Sequence, residues 1–588
     1  MSTGQKFRIS RNRRQRISSP IKGSRKIKSH HQKLNLELLE DRRLLTTLYT
    51  VNSLADNIAV DGLITLREAI YAANSDTPVG DAPAGSGADK IQFDPSLAGG
   101  TIDLNYQGGN ELPVSDNLTI TGLGKDKLTI DGLGKVRHFE VNAGKSLIMS
   151  DLTLTNGNAG EGVSGGSILD NGTLALTNVV LSTNNAGQDG GAIYAGSSAM
   201  SLTLVDCAVN LNTAVSCGGA IRQIAGTLAI QHTTINSNTA ASGGGIYSNV
   251  ATQITDSHFE SNTATPNYGG AIETHDQTTI NNTDFIGNHA DSGQGGGIFT
   301  DNVLTITGGT FSTNTAHDGG AFIARNASPA VMTGVVFNKN RSIGDGGAGF
   351  TYWSRPLQIS GCYFVENHAD SNYGALRLDG GSAQIDNTEF KGNTANYGGA
   401  LGSDGTMIIS HSTFDSNQTV YDGGALHTWG ANTLEDCTFT NNKGRLGGAI
   451  NHWGDQSLVV ADSLFTGNSA VWDGGAVRNC SNGTFLNSIF RLNESGNVDR
   501  DFHRLRYAHH RVVPNHRFPG RFGQLDRLRP DPDAYRRRHL APLPHGHDER
   551  CRSASIRGED QRSRYRRTQL GRCVDHRFDG RGYSQSLD

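Results

Sequence analysis

The sequence predicts an all-β fold, a parallel β-helix of about 13 or more coils with a short helical cap before the first coil. Three observations predict it: the glycine content, a short repeat and the residue types within that repeat. The chain has 588 residues, of which 75 are glycine. That is about one in eight against a usual 7% or so, which excludes a helical bundle. With 35% hydrophobic and 18% charged residues, the chain is neither a multi-span membrane protein nor wholly disordered.

The repeat consists of two short phrases that alternate from about residue 150 to residue 493. Gly-Gly-Ala-Ile or a near variant recurs at intervals of 24 to 28 residues, and Phe-x-x-Asn lies between the copies. In the earliest copies Leu181, Val209 and Ile235 replace the Phe. Units rich in Thr, Ile, Val, Gly and Asn favour short strands separated by glycine turns. One such unit cannot bury its own apolar face, so successive units must stack.

Stacking assigns a structural position to each residue of the two phrases. We expect Phe to point inward and stack on the Phe of the next coil. The Asn amide has both donor and acceptor, so we expect a column of Asn to bond from coil to coil. The two glycines provide positive φ or close approach at a corner. The predicted structural ladder comprises Phe259, Asn262, Phe285, Asn288, Phe311, Asn314, Phe337, Asn340, Phe364, Asn367, Phe390, Asn393, Phe414, Asn417, Phe439, Asn442, Phe465 and Asn468.

Charge divides the chain into three parts. Residues 1–33 carry a net charge of +11 and residues 500–588 carry +10, so the formal net charge of −4 leaves −25 between them. A central region with this much negative charge repels nucleic acid, and we expect its partner to be a glycan or a protein. No apolar run is long enough for a transmembrane helix. We expect a monomeric rod.

The alternation of Gly-Gly-Ala-Ile with Phe-x-x-Asn resembles the repeats of the polymorphic outer membrane protein family, the chlamydial-type surface adhesins and autotransporters. The resemblance covers about residues 150–493. It implies an extracellular protein, or one on the surface of the cell outer membrane, that binds a ligand and has no catalytic residues to carry over. The resemblance and the usual handedness of parallel crossovers together predict a right-handed solenoid.

Two segments upstream of the repeat carry further resemblances. Ile64-Thr-Leu-Arg-Glu-Ala-Ile-Tyr-Ala-Ala-Asn74 is similar to the C-S-L-R-E-A-I segment that precedes β-helices of bacterial surface proteins, with Ile64 in place of the Cys. Its apolar residues fall on one face of a short helix suited to covering the first coil, namely Leu66, Ala69, Ile70 and Ala73. Leu38-Leu-Glu-Asp-Arg-Arg-Leu-Leu45 resembles the short leader of large bacterial surface proteins.

These features predict four regions. Residues 1–45 form a basic leader or a disordered segment, 46–116 the cap and first irregular strands, 117–493 the β-helix, and 494–588 an Arg-rich aberrant tail that is disordered or frameshifted. Residues 500–588 of the tail contain 21 Arg and no Lys. One hypothesis is a functional arm that binds anionic polymers. We favour a shifted reading frame, because the composition changes completely and the repeat stops; resequencing the gene across codons 490–500 tests this.

A candidate ligand-stacking strip consists of aromatic and histidine side chains close to the Gly-Gly-Ala-Ile phrase. Trp353, Trp429 and Trp453 each lie three residues after the apolar residue of that phrase, and other members are close to them in sequence. Such a strip stacks sugar rings or a partner's apolar patch, or it merely covers the outside of the sheet. The full candidate set is Tyr352, Trp353, His427, Trp429, His452 and Trp453.

Acidic residues raise two further possibilities. Asp379 and Asp404 share the column of the tryptophans, and we expect them to be solvated rather than bridged by a cation. An Asp precedes the Gly-Gly pair at 189, 318, 345, 422 and 473. These carboxylates are calcium-ligand candidates, but Asp-Gly is also a common turn dipeptide and we expect no cofactor.

A polysaccharide lyase or glycoside hydrolase is the alternative function, because other parallel β-helices carry such enzymes. That chemistry needs two or three carboxylates that converge with an Arg or Lys on one exposed face. The sequence alone shows no such group, so we expect a non-catalytic protein for adhesion, binding or envelope structure. Finding such a group in a groove of the folded chain favours the enzyme.

Overall fold

The repeat folds into a right-handed parallel β-solenoid of about fifteen turns. The computed structural model describes residues 46–325, 329–352, 356–481, 483–496 and 505–507. Within these ranges all paired strands run parallel to their neighbours and form three long sheets of 32, 15 and 14 strands. The predicted fold class is therefore confirmed. The predicted leader and most of the Arg-rich tail lie outside the described residues, and the domain boundaries at 45, 116 and 493 stay predictions.

Each turn adds one strand to the 15-stranded sheet, generally one to the 14-stranded sheet and two to the 32-stranded sheet. The 15-stranded sheet begins each turn after the glycine corner. Its strands are Leu112–Val114, Phe139–Val141, Ile168–Asp170, Ile193–Ala195, Ile221–Gln223, Ile246–Ser248, Ile272–Thr274, Ile298–Thr300, Phe322–Ala324, Gly349–Tyr352, Leu376–Asp379, Leu401–Ser403, Leu426–Thr428, Ile450–His452 and Val477–Asn479. The 14-stranded sheet ends each turn before the next corner. Its strands are Asn158–Glu161, Asn185–Gly187, Thr213–Ala214, Thr239–Ala240, Thr263–Ala264, His289–Gln294, Thr315–Asp318, Arg341–Ser342, His368–Ala369, Thr394–Ala395, Gln418–Thr419, Lys443–Leu446, Ser469–Asp473 and Glu494–Ser495.

The 32-stranded sheet lies between the other two along each turn. In most turns its two strands meet at a bend whose residue has positive φ, such as Asp256 (φ 48°). Its strands are Leu48–Val51, Asp89–Phe93, Gly100–Asp103, Leu118–Thr121, Leu128–Asp131, Ser146–Thr155, Thr173–Ser182, Ser201–Val205, Ala208–Asn210, Leu228–Gln231, Thr234–Asn236, Thr252–Thr255, His258–Glu260, Thr278–Asn281, Asp284–Ile286, Leu304–Thr307, Thr310–Ser312, Ala330–Thr333, Val336–Asn338, Leu357–Ser360, Tyr363–Val365, Ser382–Asp386, Glu389–Lys391, Thr406–Ser410, Thr413–Asp415, Asn432–Glu435, Thr438–Thr440, Leu458–Ala461, Leu464–Thr466, Gly483–Leu486, Ile489–Arg491 and Leu505–Tyr507.

Phenylalanine rings fill the interior beside this sheet, as the repeat predicts. Ten Phe from Phe259 to Phe490 stack in one continuous column, with ring centroids 4.5–5.2 Å apart and planes within 22° of parallel. Those from Phe259 to Phe465 are fully buried. Offset ring pairs of this kind add about 0.5–1.5 kcal/mol each beyond the burial of apolar area.

The asparagines of Phe-x-x-Asn form the predicted ladder. From Asn184 to Asn468, each side-chain Nδ2 donates to the Oδ1 of the Asn one turn further on, at 2.9–3.0 Å, and Asn493 is the last acceptor. The same Oδ1 also accepts the backbone N–H of the preceding Asn, as Asn340 does from Asn314 at 3.0 Å. Each Nδ2 donates besides to a backbone carbonyl, such as that of Phe311 for Asn340. The ladder therefore satisfies buried amides and backbone groups together.

The Gly-Gly corner excludes side chains for two different reasons. The first glycine has positive φ, for example 68° at Gly218. The second lies against the next turn, where a β-carbon on Gly219 would overlap the carbonyl oxygen of Gly244. One glycine therefore provides the left-handed conformation and the other the close approach.

A helix covers the first strands, as predicted. Leu66–Ser75 begins at Thr65 with a capping box in which the Thr65 side chain and Glu68 bond each other's backbone N–H groups. The helix contacts the strands Leu48–Val51, Asp89–Phe93 and Leu112–Val114, and its apolar face is buried there. No helix in the described ranges is long and apolar enough to cross a membrane.

Candidate functional site

The outward side chains of the 15-stranded sheet form what we call the outer column. Alternation places the first and third residues of each strand inside and the middle residue outside. The outer column is Pro113, Glu140, Leu169, Tyr194, Arg222, Tyr247, Glu273, Phe299, Ile323, Phe350, Arg377, Gly402, His427, Asn451 and Arg478. Aromatic, basic and acidic residues are concentrated here, whereas residues such as Thr279 and Gln358 occupy the outward face of the 32-stranded sheet.

An open cleft of about 400 Å³ lies on this column near its carboxyl-terminal end. One wall of the cleft consists of residues that precede strands of the 15-stranded sheet, at or just before the glycine corners. The other wall consists of residues that directly follow such strands, and His427 of the outer column lies between the two walls. Its lining residues are Asn372, Tyr373, Tyr397, Asp422, His427, Trp429 and Trp453. The volume is within the range usual for small-molecule sites, and five aromatic or histidine rings face a few polar groups.

His427 presents a neutral ring to the cleft. The side chain is 4% exposed, and burial, together with the positive charge of Arg478, lowers the pKa of His427 to about 3. Arg478 lies 3.4 Å from Asn451 Oδ1, so Asn451 turns its Nδ2 toward His427 Nδ1 at 3.0 Å. A neutral ring that accepts at Nδ1 carries its proton on Nε2. His427 therefore offers an N–H donor beside Trp429, whose ring it meets edge-on at 4.3 Å.

Tyr373 and Gly402 depart from the repeat together. Tyr373 occupies the corner position with positive φ, here 64°, that is glycine in the twelve other copies. A non-glycine residue in this conformation costs about 1–2 kcal/mol. Gly402 is the only glycine of the outer column, and a β-carbon there would overlap the Tyr373 ring. The ring therefore lies over Gly402, and Tyr373 is only 8% exposed.

Arg377 gathers two carboxylates one turn before Gly402. Its guanidinium forms a hydrogen-bonded ion pair with Asp345 and lies 3.9 Å from Asp379. It also stacks on the Phe350 ring at 4.5 Å. Asp379 is therefore beside a cation of the protein itself and 30% exposed, so solvation alone does not describe it. Asp404 is exposed.

A second aromatic cluster lies nearer the amino-terminal end of the same face. It contains Phe299, Ile323 and Phe350, separate from the main core, with Tyr268 and Tyr352 against them. The Arg325 guanidinium lies 5.1–5.3 Å from three of these rings. The rings and the guanidinium of this cluster contact one another. Tyr352 belongs to the cluster, since its ring stacks on Phe350 at 3.8 Å.

A histidine joins two carboxylates still further along the face. His275 Nδ1 lies 2.9 Å from Asp301 Oδ2, and its Nε2 lies 3.2 Å from Glu273 Oε1. Burial alone would lower the pKa of His275, but the hydrogen bonds to Asp301 and Glu273 outweigh it and raise the pKa to about 9. Burial also raises the pKa of Glu273, which is 4% exposed.

The structure brings three members of the predicted strip together and separates the others. His427, Trp429 and Trp453 line the cleft. Tyr352 lies in the Arg325 cluster, and Trp353 lies outside the described residues. His452 points inward and is fully buried, where it bonds Thr428 Oγ1 at 2.9 Å and the Gln456 carbonyl at 2.9 Å.

Sequence reasoning missed Tyr373 and Tyr397. Tyr373 was detectable in principle, because it breaks the Gly-Gly-Ala-Ile phrase at the first glycine. Tyr397 precedes an intact phrase, and nothing in its own repeat distinguishes it. The wall that contains both residues is visible only once the turns are stacked.

The carboxylates before the glycine corners bond to the next turn. Asp189 Oδ1 accepts from the Cys217 N–H at 3.0 Å, and Asp318 Oδ1 accepts from the Asp345 N–H at 3.0 Å. Asp345 in turn accepts from the Asn372 N–H at 2.9 Å. These contacts account for the Asp-Gly-Gly pattern as a corner motif.

A comparison with protein families agrees with the fold. Residues 354–498 match the family model described as a right handed beta helix region. Tailspike protein 3 of bacteriophage CBA120 is a structural match with 12% sequence identity and a TM-score of 0.26, over 68% of this chain and 56% of the tailspike chain. That likeness is too distant to carry an inference about fold or function. A comparison with curated proteins finds no match.

Proposed function

We propose that this protein binds carbohydrate in the cleft on the outer column and does so without cleaving it, as a cell-surface or secreted binding protein. The observation that carries the proposal is the group of rings around the cleft: Tyr373 and Tyr397 on one side, Trp429 and Trp453 on the other. Aromatic faces pack on the apolar C–H face of a sugar, while neighbouring polar groups bond its hydroxyls. His427 Nε2 and the Asn372 amide are suited to the second task.

Affinity electrophoresis of the full chain through gels that contain a neutral polysaccharide tests this proposal. We expect xylan, galactomannan or a soluble glucan to retard the wild-type protein. Trp429→Ala is expected to weaken that binding about tenfold, since a stacked ring contributes about 0.5–1.5 kcal/mol beyond its buried area. Tyr363→Ala is the matched control, because Tyr363 is an exposed aromatic residue (48%) on the 32-stranded sheet. Equal weakening by both variants, or no retardation of the wild type, would contradict the proposal.

Location at the cell surface or outside the cell is part of the proposal. It is supported by the leader-like residues 38–45 and by the resemblance of the repeat to the polymorphic outer membrane proteins. The adhesive role of that family is the finer form of the proposal. Cell fractionation with an antibody against residues 150–493 tests the location, and a cytoplasmic protein would contradict it.

A glycan-cleaving enzyme is the second candidate function, and the Arg377 group favours it. Two carboxylates, Asp345 and Asp379, lie around one guanidinium close to the cleft, and carboxylates are the groups that glycoside cleavage uses as acid, base or nucleophile. Incubation of the wild type with each polysaccharide that it binds, followed by measurement of new reducing ends, decides between the two. Product formation that Asp379→Asn abolishes would establish the enzyme; its absence supports binding alone.

A further inference from the structure

The pairing of Tyr373 with Gly402 adds a specific role to the cleft, and this inference rests on the proposed carbohydrate binding. Two departures from the repeat on adjacent turns fit each other: a ring replaces a hydrogen at a corner, and a hydrogen replaces a side chain in the outer column. Each change alone is unfavourable, since a tyrosine with positive φ is strained and a missing side chain leaves a gap. Packing of the interior explains neither change, because both residues lie outside the core.

Tyr373 also has an available hydroxyl. Within the described residues its Oη forms no hydrogen bond, although the ring lies among the cleft-lining residues. Burial and the nearby charge of Asp404 raise the pKa of Tyr373, so the group remains a neutral donor and acceptor at physiological pH. It is therefore equipped to bond a ligand hydroxyl.

The charges around Tyr373 restrict the class of ligand. Asp379 lies 3.9 Å from the Arg377 guanidinium, and Asp404 is close enough to Tyr373 to raise its pKa. Asp422 lines the cleft itself. Arg377 and Arg445 are each paired with an aspartate, Asp345 and Asp422 respectively. A third guanidinium, that of Arg478, stacks on the Trp453 ring of the cleft at 4.8 Å. Four aspartates therefore lie around three guanidinium groups, and the remaining negative charge disfavours an acidic sugar.

We infer that Tyr373, seated on Gly402, is a selectivity residue that stacks a neutral sugar ring and bonds one of its hydroxyls. Acidic sugars are disfavoured by the carboxylate charge that the neighbouring arginines leave unbalanced. The residue acts on the ligand directly, and Gly402 acts by positioning the Tyr373 ring.

A double-mutant cycle on the full chain tests this inference with a soluble neutral glucan as the probe. Tyr373→Gly restores the repeat and is expected to weaken binding at least tenfold. Gly402→Ala retains the tyrosine but displaces its ring, so a similar loss is expected. The double variant should bind no more weakly than either single variant, because both changes remove the same contact. Tyr373→Phe keeps the ring and should show a smaller loss, of about three- to fivefold.

The outcomes separate this inference from the proposal on which it rests. Circular dichroism and a melting curve establish that each variant is folded before its affinity is measured. If the wild type binds the glucan and Tyr373→Gly binds it equally well, the role of Tyr373 is overturned while carbohydrate binding stands. If the wild type binds no probe, both are overturned. Binding of polygalacturonate as tight as that of the neutral glucan overturns the selectivity.

Discussion

The inner columns of the solenoid repeat one residue turn after turn, whereas the outer column changes its residue at almost every turn. Phe occupies ten successive positions inside, and Asn occupies thirteen. Over the same turns, the outer column of the 15-stranded sheet passes from Glu273 through Phe299 to Arg377, Gly402 and His427. Equivalent positions inside the solenoid have the same surroundings, so the same residue suits each of them. A residue type that repeats from turn to turn therefore indicates a position that stabilises the fold. Variation where the turns are otherwise equivalent marks positions that serve something other than the stack.

This contrast predicts opposite consequences for substitutions. A change in an inner column should lower the free energy of unfolding and leave the affinity of the folded protein for carbohydrate unchanged. A change in the outer column at the cleft should do the reverse. Each prediction below tests one side of the comparison.

The largest effect is expected from the phenylalanine column. Phe364 is fully buried and lies between the rings of Phe337 and Phe390, at 4.6 and 4.9 Å. Phe364→Ala should lower the free energy of unfolding by about 3–5 kcal/mol, because it loses burial and leaves a cavity. Denaturant unfolding measures this loss. The exposed neighbour Tyr363 is the control. A comparable loss of unfolding free energy in Tyr363→Ala would show that the phenylalanine column contributes no more to stability than an exposed ring.

The asparagine ladder should show a somewhat smaller effect. Asn340→Leu removes the acceptor of the Asn314 side chain and backbone N–H, and it removes a donor to the Phe311 carbonyl. Leaving such buried groups unpaired is expected to lower the free energy of unfolding by about 2–4 kcal/mol. Asn338→Leu is the matched control on the same turn, since Asn338 is only half-buried. The idea of a cooperative ladder fails if the two variants unfold at the same denaturant concentration.

The inner columns were predictable from sequence, and the cleft was predictable only in part. Period and composition suffice for the Phe stack, the Asn ladder and the glycine corner, because each depends on contacts between equivalent positions. The sequence also allowed a prediction of whether each histidine side chain points inward or outward. His427 lies one residue after the apolar residue of its strand, and His452 lies two residues after the apolar residue of its own strand. With alternating side chains, the first must point outward and the second inward.

Contacts between non-equivalent positions were not predictable in this way. Tyr373 reaches from a corner to the outer column of the following turn, where Gly402 makes room for it. Arg377 likewise reaches back to Asp345. The length and direction of these side chains decide which turn they contact, and the repeat period contains no information about either.

The smallest effect is expected from His275, a residue of the outer face that we expect to stabilise the fold. It therefore tests the limit of the comparison between interior and exterior. His275 lies between Glu273 and Asp301 and beside the Tyr247 ring, and its pKa is raised to about 9. A histidine whose pKa is higher in the folded than in the unfolded state stabilises the protein fully below the unfolded value of about 6.5, and the contribution is lost as the pH rises through 9. His275→Gln should therefore lower the free energy of unfolding by about 1–3 kcal/mol at pH 6 and by little at pH 10. Denaturant unfolding at the two pH values measures the difference, with His317→Gln, an exposed histidine (43% of its side chain) before a glycine corner, as the control. A loss for His275→Gln that is equal at both pH values would show that the outer face stabilises the solenoid through packing rather than charge, and the division between stable interior and variable exterior would then need to be redrawn.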